Sequence, residues 1–138
     1  MNRTDLQELA RQRLRDARVL LRHGRYAGAY YLAGYAVECA LKACIAKQTR
    51  RHDFPDKNAV TKTHTHDLSE LVRLAGLKST LDKKAASDKA FELNWGLVKD
   101  WEASDRYNTS LLEADAADLY SAIAARRNGV MTWLRSVW

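Results

Sequence analysis

Arginine is the residue type best placed to do chemistry in this chain. Arg11, Arg15, Arg18 and Arg22 follow one another at intervals of four, three and four, which puts four guanidinium groups on one face of a helix. Asp16 is the only nearby acid, so pairing within the helix is limited, and Arg25 lies just beyond. Such a stripe suits the phosphates of RNA or of a nucleotide, and it suits an acidic protein surface equally well. Arg126, Arg127 and Asn128 form a second group. Adjacent residues of a helix diverge by about 100°, so one arginine would face a cleft and the other solvent. That group is either an anion site or a solvated face. Arg106 stands beside Tyr107. The pair is either a phosphate-and-base contact or a structural unit, in which Arg106 offsets a buried carboxylate such as Glu38 and Tyr107 packs on the fold.

The histidines are the candidates for proton transfer. His52, His64 and His66 lie near Asp53 and Asp67 in one basic, polar stretch. A His-x-His spacing is weakly specific, and structural zinc sites need four firm ligands, so no metal is expected. His66 and Asp67 read as the start of a helix, with Thr65 or Asp67 accepting backbone N–H bonds. Glu38 and Lys42 are almost the only charges in the middle of an apolar run and sit four apart, where they can pair. Phosphate loops, Ser-His-Asp sets, paired cysteine ligands and Rossmann turns do not occur, and no cofactor is expected.

These side chains need a scaffold, and the periodicity predicts helices throughout. The 138 residues suit one domain, 1–138. The first helix spans about Asp5 to His23, with a Thr4–Gln7 capping box and a stop at Gly24. The run from Arg25 to Lys47 forms the second and central one. Its Ala and Gly positions wrap all round, as in a helix buried on several sides. Residues 49–65 read as a mobile loop. A third helix starts near Thr65 or His66 and ends at Gly76, Leu77 to Lys84 is ambiguous, and a fourth runs from about Ser87 to Glu102. The last runs from about Glu113 to Val137, with Arg127-Asn128 inside it and Trp133 and Trp138 as an exposed aromatic end, either a core cap or a dimer seam. The expected architecture is all-α, a compact up-and-down bundle of about five helices. The net charge of +6 favours an anionic partner. Cys39 and Cys44 point apart on one helix and read as free thiols. With a charged N-terminus and no long apolar run, they suggest a cytoplasmic protein without a membrane span.

The order of motifs is similar to that of a known family. A helix rich in Arg and Leu precedes GRYAGAYYLAGYAVECALKA, a loop leads to HTHDLSEL (His64–Leu71), and a tryptophan-bearing helix, Arg106-Tyr107-Asn108 and a final helix ending in Trp follow. From about Leu6 to Leu134 this resembles the HEPN family, the small helical domains of prokaryotic toxins and of the partners of minimal nucleotidyltransferases. The resemblance implies a helical bundle, a homodimer and a nucleotidyltransferase partner. Many members are metal-independent ribonucleases in which a His follows an Arg after four to six residues, the His moving the proton and the Arg holding the phosphate. Here the pattern departs. Arg127-Asn128 is the counterpart of the motif, yet Thr132, Trp133 and Leu134 stand where a His would follow, and none follows Arg106. Arg18 and His23 match the spacing only formally, in the first helix and on diverging sides. The implied function is a binding or regulatory module of a toxin–antitoxin or defence system, contacting RNA or nucleotide. The alternatives are an active ribonuclease, with Arg106 and His66 or Tyr107 in nonstandard roles, and a protein–protein adaptor that binds no nucleic acid.

Overall fold

Helix α2 (Tyr26–Gln48) is packed on by both the first and the last helices of the fold and by segments between them. It carries eleven buried residues, Ala29 to Cys44, and they are distributed round its whole circumference. The computed structural model describes residues 1–48 and 57–138, and of 57–59 only the backbone. Among these, eight helices and one 3₁₀ turn form an all-α fold without strands. No described helix is long and apolar enough to cross a membrane.

Helix α1 (Arg3–Arg22) packs along α2 through Ala10, Leu14 and Ala17. The helix begins two residues earlier than the sequence suggests. Asn2, not Thr4, is the cap: its side chain accepts from the Asp5 amide at 2.9 Å while the Asp5 carboxylate accepts from the Asn2 amide at 3.1 Å. This reciprocal pair satisfies two backbone donors and leaves Thr4 inside the first turn. Gly24, at φ 74°, makes the reversal into α2, so the two helices run antiparallel.

The stretch 49–65 is not loop throughout. Residues 49–56, with His52 and Asp53, lie outside the described residues, and Lys57–Lys62 forms the short helix α3. Helix α4 (Leu68–Leu74) starts after Asp67, whose carboxylate accepts from the Glu70 amide at 3.2 Å. The ambiguous stretch is helical, α5 (Lys78–Ser87). Asp88 breaks it from α6 (Lys89–Val98) by turning extended and capping the Phe91 amide. The 3₁₀ turn Ala103–Tyr107 follows.

The long last helix is two helices, α7 (Glu113–Ala124) and α8 (Val130–Val137). Ala125 leaves helical geometry at ψ 136°, and its carbonyl accepts both the Gly129 amide at 3.1 Å and the Thr132 hydroxyl at 2.8 Å. A Cβ at Gly129 would lie 2.3 Å from that carbonyl oxygen, so glycine is what permits the tight connection. The aromatic end is not exposed either. Trp133 is buried edge-on against Phe91 at 5.4 Å, and Trp138 is half-buried under the Arg11 guanidinium at 5.0 Å.

Trp101 locks the far side of the bundle. It is 2% exposed, and its indole lies where a Cβ on Gly34 would be, with ring atoms 2.2–2.3 Å from that position. Tyr31 stacks against the same ring at 6.0 Å. Gly34→Ala is expected to lower stability by about 1–3 kcal/mol through overpacking, although alanine is the better helix former by about 1 kcal/mol. Chemical denaturation measures this, and an unchanged midpoint would mean that the indole moves aside freely.

Candidate functional site

Three of the four arginines on the α1 stripe line a cleft of about 480 Å³ between α1, α7 and α8. Arg11, Arg15 and Arg18 face Arg135 of α8 and Tyr120 of α7 across a floor of Leu14, Ala124 and Met131. No carboxylate lines it among the described residues. Arg11 pairs with Glu8 at 3.5 Å, so Asp16 is not the only acid available to α1, and Asp16 itself takes Arg13 at 3.4 Å. Arg15, Arg18 and Arg135 have no carboxylate within ion-pair distance among the described residues. Four guanidinium groups around one concavity raise its positive potential, since low-dielectric walls focus the field. Arg22 and Arg25 are exposed outside this cleft.

A second arrangement surrounds Glu38, which is 2% exposed and the one buried charged residue among those described. Its Oε1 accepts from His66 Nδ1 at 2.6 Å and its Oε2 from Lys42 Nζ at 3.4 Å. A carboxylate taken from water needs such partners. Arg106 is not among them. With Nδ1 donating to Glu38, the imidazole presents Nε2 as its other nitrogen. His66 lines a cavity of about 550 Å³ together with Asp67, Lys99, Asp100, Trp101 and Glu102. Burial first, then the charges of Asp105, Asp115, Asp100 and Glu102, push the Tyr30 hydroxyl above its ordinary value.

The remaining candidates are dispersed. Arg106 donates to the Tyr107 hydroxyl at 2.9 Å and lies 4.7 Å over its ring. The Tyr107 and Tyr31 hydroxyls hold the Arg106 guanidinium above its usual pKa. Tyr107 is 73% exposed rather than packed on the bundle. Arg126 and Arg127 are exposed in the turn between α7 and α8, not on a helix face. Asn128 is half-buried and its side chain is engaged: its Nδ2 donates to both Asp88 oxygens at 3.1 and 3.0 Å, while its backbone carbonyl accepts from the Asn94 side chain at 3.0 Å. The Phe91 amide, then Asn128, then Lys84, hold Asp88 below the usual carboxylate range. Asn128 therefore joins the α5–α6 junction to the α7–α8 break. Cys39 and Cys44 are buried free thiols, each pushed up to about 11 by desolvation, which leaves them little thiolate character. No group of described residues is arranged to hold a metal ion.

Sequence reasoning found one wall of the cleft and missed the other. Tyr120 and Ala124, like Met131 and Arg135, sit four apart, which is a signal of shared faces. The break between Ala124 and Val130 separates the two faces, and both line the cleft beside α1. The Glu38–His66 pair was also missed, although a charge within an apolar helix announces the need for a partner.

A family model described as HEPN domain matches residues 4–109. That span takes in Glu38, His66 and Arg106 and ends before α7, so Tyr120 and Arg135 lie beyond it. No curated protein and no solved structure matches the chain.

Replacing both Lys42 and His66 by alanine strands the Glu38 carboxylate and is expected to cost about 3–5 kcal/mol. Glu38→Met removes the charge with similar bulk and should leave stability unchanged or raise it by up to about 4 kcal/mol. Urea unfolding compares the two, and equal losses would mean that Glu38 does not depend on its partners.

Proposed function

Because the chain belongs to the HEPN domain family, we propose that it is a binding or regulatory module of that family whose α1–α8 cleft receives the phosphates of RNA or nucleotide. The single observation that carries this reading is the meeting of Arg11, Arg15, Arg18 and Arg135 round one concavity without a lining carboxylate. Guanidinium groups bind phosphate oxygens in bidentate fashion and stay charged at any working pH. Each contact releases condensed counterions, so the affinity should fall steeply with salt. As the resemblance implies, the module works in a toxin–antitoxin or defence system, as a homodimer or beside a minimal nucleotidyltransferase.

Arg15→Ala with Arg18→Ala is expected to weaken binding of labelled RNA and to flatten log K against log[salt] by about 0.7 per lost contact on a single strand. Arg73→Ala serves as the control, because Arg73 is engaged with Glu70 on α4. An unchanged slope in the double variant would remove the cleft from the reading.

One observation favours a second reading, the active ribonuclease. The buried Glu38 fixes the ring of the half-exposed His66, as a carboxylate orients a general base. The rim works against a phosphodiester, since Asp67, Asp100 and Glu102 outnumber Lys99. The binding reading expects intact RNA after incubation with the protein in EDTA. Cleavage that disappears in His66→Ala, with the fold retained, would favour the enzyme instead.

A further inference from the structure

The arginine rim accounts for phosphate, but it does not account for the floor. Leu14 and Met131 are 8% and 2% exposed and Ala124 is half-buried beside them, so a phosphate pressed onto this surface would lose water and gain no hydrogen bond. Tyr120 stands among the arginines with its ring half-buried. It is stacked on no other aromatic ring among the described residues, unlike Tyr31, Tyr35, Phe91, Trp101 and Trp133. Its hydroxyl has no hydrogen-bond partner among them either. An aromatic ring on the wall of the cleft, beside an apolar floor and among cations, matches a planar base attached to phosphates.

Size and shape narrow the class further. A volume of about 480 Å³ falls in the range of pockets that enclose one small ligand. Base faces in a duplex are covered by their neighbours, and the A-form major groove is too deep and narrow for side chains to read. A duplex could therefore touch the rim and leave Tyr120 and the floor unused. We propose that the cleft takes one unpaired nucleotide of a single strand, with its base against Tyr120 and its flanking phosphates on Arg15, Arg18 and Arg135. This rests on the phosphate-binding reading above and names its substrate class. The α7–α8 wall that supplies Tyr120 and Arg135 lies outside the span matched by the family model.

Charge and stacking make opposite predictions about duplex. Charge density is higher on a duplex, so a site that used charge alone would bind it at least as well as a single strand. The experiment is fluorescence anisotropy at fixed salt, with a labelled RNA free of self-complementarity, alone and annealed to its complement. The single strand should bind about tenfold more tightly or better, a margin within the range of one base-stacking contact. Tyr120→Leu should weaken the single strand about tenfold and leave both its salt slope and duplex binding unchanged, while Tyr120→Phe, which keeps the ring, should retain the affinity. Circular dichroism checks that each variant is folded. Equal or tighter duplex binding, or a Tyr120→Leu variant that binds as before, overturns the proposal and leaves phosphate binding standing. Displacement of the strand by a free mononucleotide at matched concentration overturns the assignment to a strand, and equal displacement by polyglutamate overturns the assignment to a nucleotide. Failure of the unaltered protein to bind any of these probes overturns both readings.

Discussion

The contact between Trp101 and Gly34 governs how this chain closes. The indole occupies the space a side chain would fill on α2, so the segment leaving α6 lies directly on the central helix. Only a residue without Cβ permits that approach. From that seat the 3₁₀ turn packs on α2 and carries Arg106 and Tyr107 to the surface. The same seat sets Asp100 and Glu102 opposite His66 on one cavity. Removal of the contact would therefore disturb more than local packing, since it aligns one whole side of the bundle.

The charges are segregated between two concave regions, and the segregation has a structural origin. On one side, α1 presents cations toward α8, which adds Arg135, and no carboxylate lines the cleft among the described residues. On the other, Asp100 and Glu102 of the connection after α6 line the cavity of His66 together with Asp67, and with Asp105 and Asp115 their charges act on Tyr30. The net charge of +6 is thus an average over two unlike surfaces. Electrostatic steering favours approach of a polyanion to the arginine cleft, and the acidic cavity repels it. The carboxylate-held imidazole of His66 and the guanidinium groups of Arg15 and Arg18 therefore belong to different places on the molecule.

Glu38 shows how a buried charge can be accommodated in a helix made largely of alanine. Two partners reach its two oxygens: Lys42 from the next turn and His66 from just before α4. Lys42 follows from helical spacing alone. His66 requires α4 to dock in one register, which Asp67 helps to set by capping its first turn. The paired carboxylate need not add stability over an apolar residue of the same bulk. It does tie the position of His66 to the packing of α4 on α2.

Much of the fold is written in local pattern. The all-round small residues of α2, the arginine spacing of α1 and the positive-φ turns at Gly24 and Gly76 are consequences of residue type and helical period, so the sequence alone determined an all-α bundle with α2 at its hub and one basic wall. The motifs along α2 and at His66-Asp67 likewise pointed to the family. Tertiary structure decided the rest. A continuous apolar pattern from Glu113 to Val137 cannot reveal that Ala125 leaves the helix, because the break is held by Asn128 reaching Asp88 forty residues away and by a close approach at Gly129. Nor can spacing along one helix show that Arg135 and Tyr120 come to face Arg15 and Arg18, or that Glu38 takes His66 rather than Arg106. Helical period fixes which side chains share a face, whereas which faces meet depends on packing between segments distant in sequence.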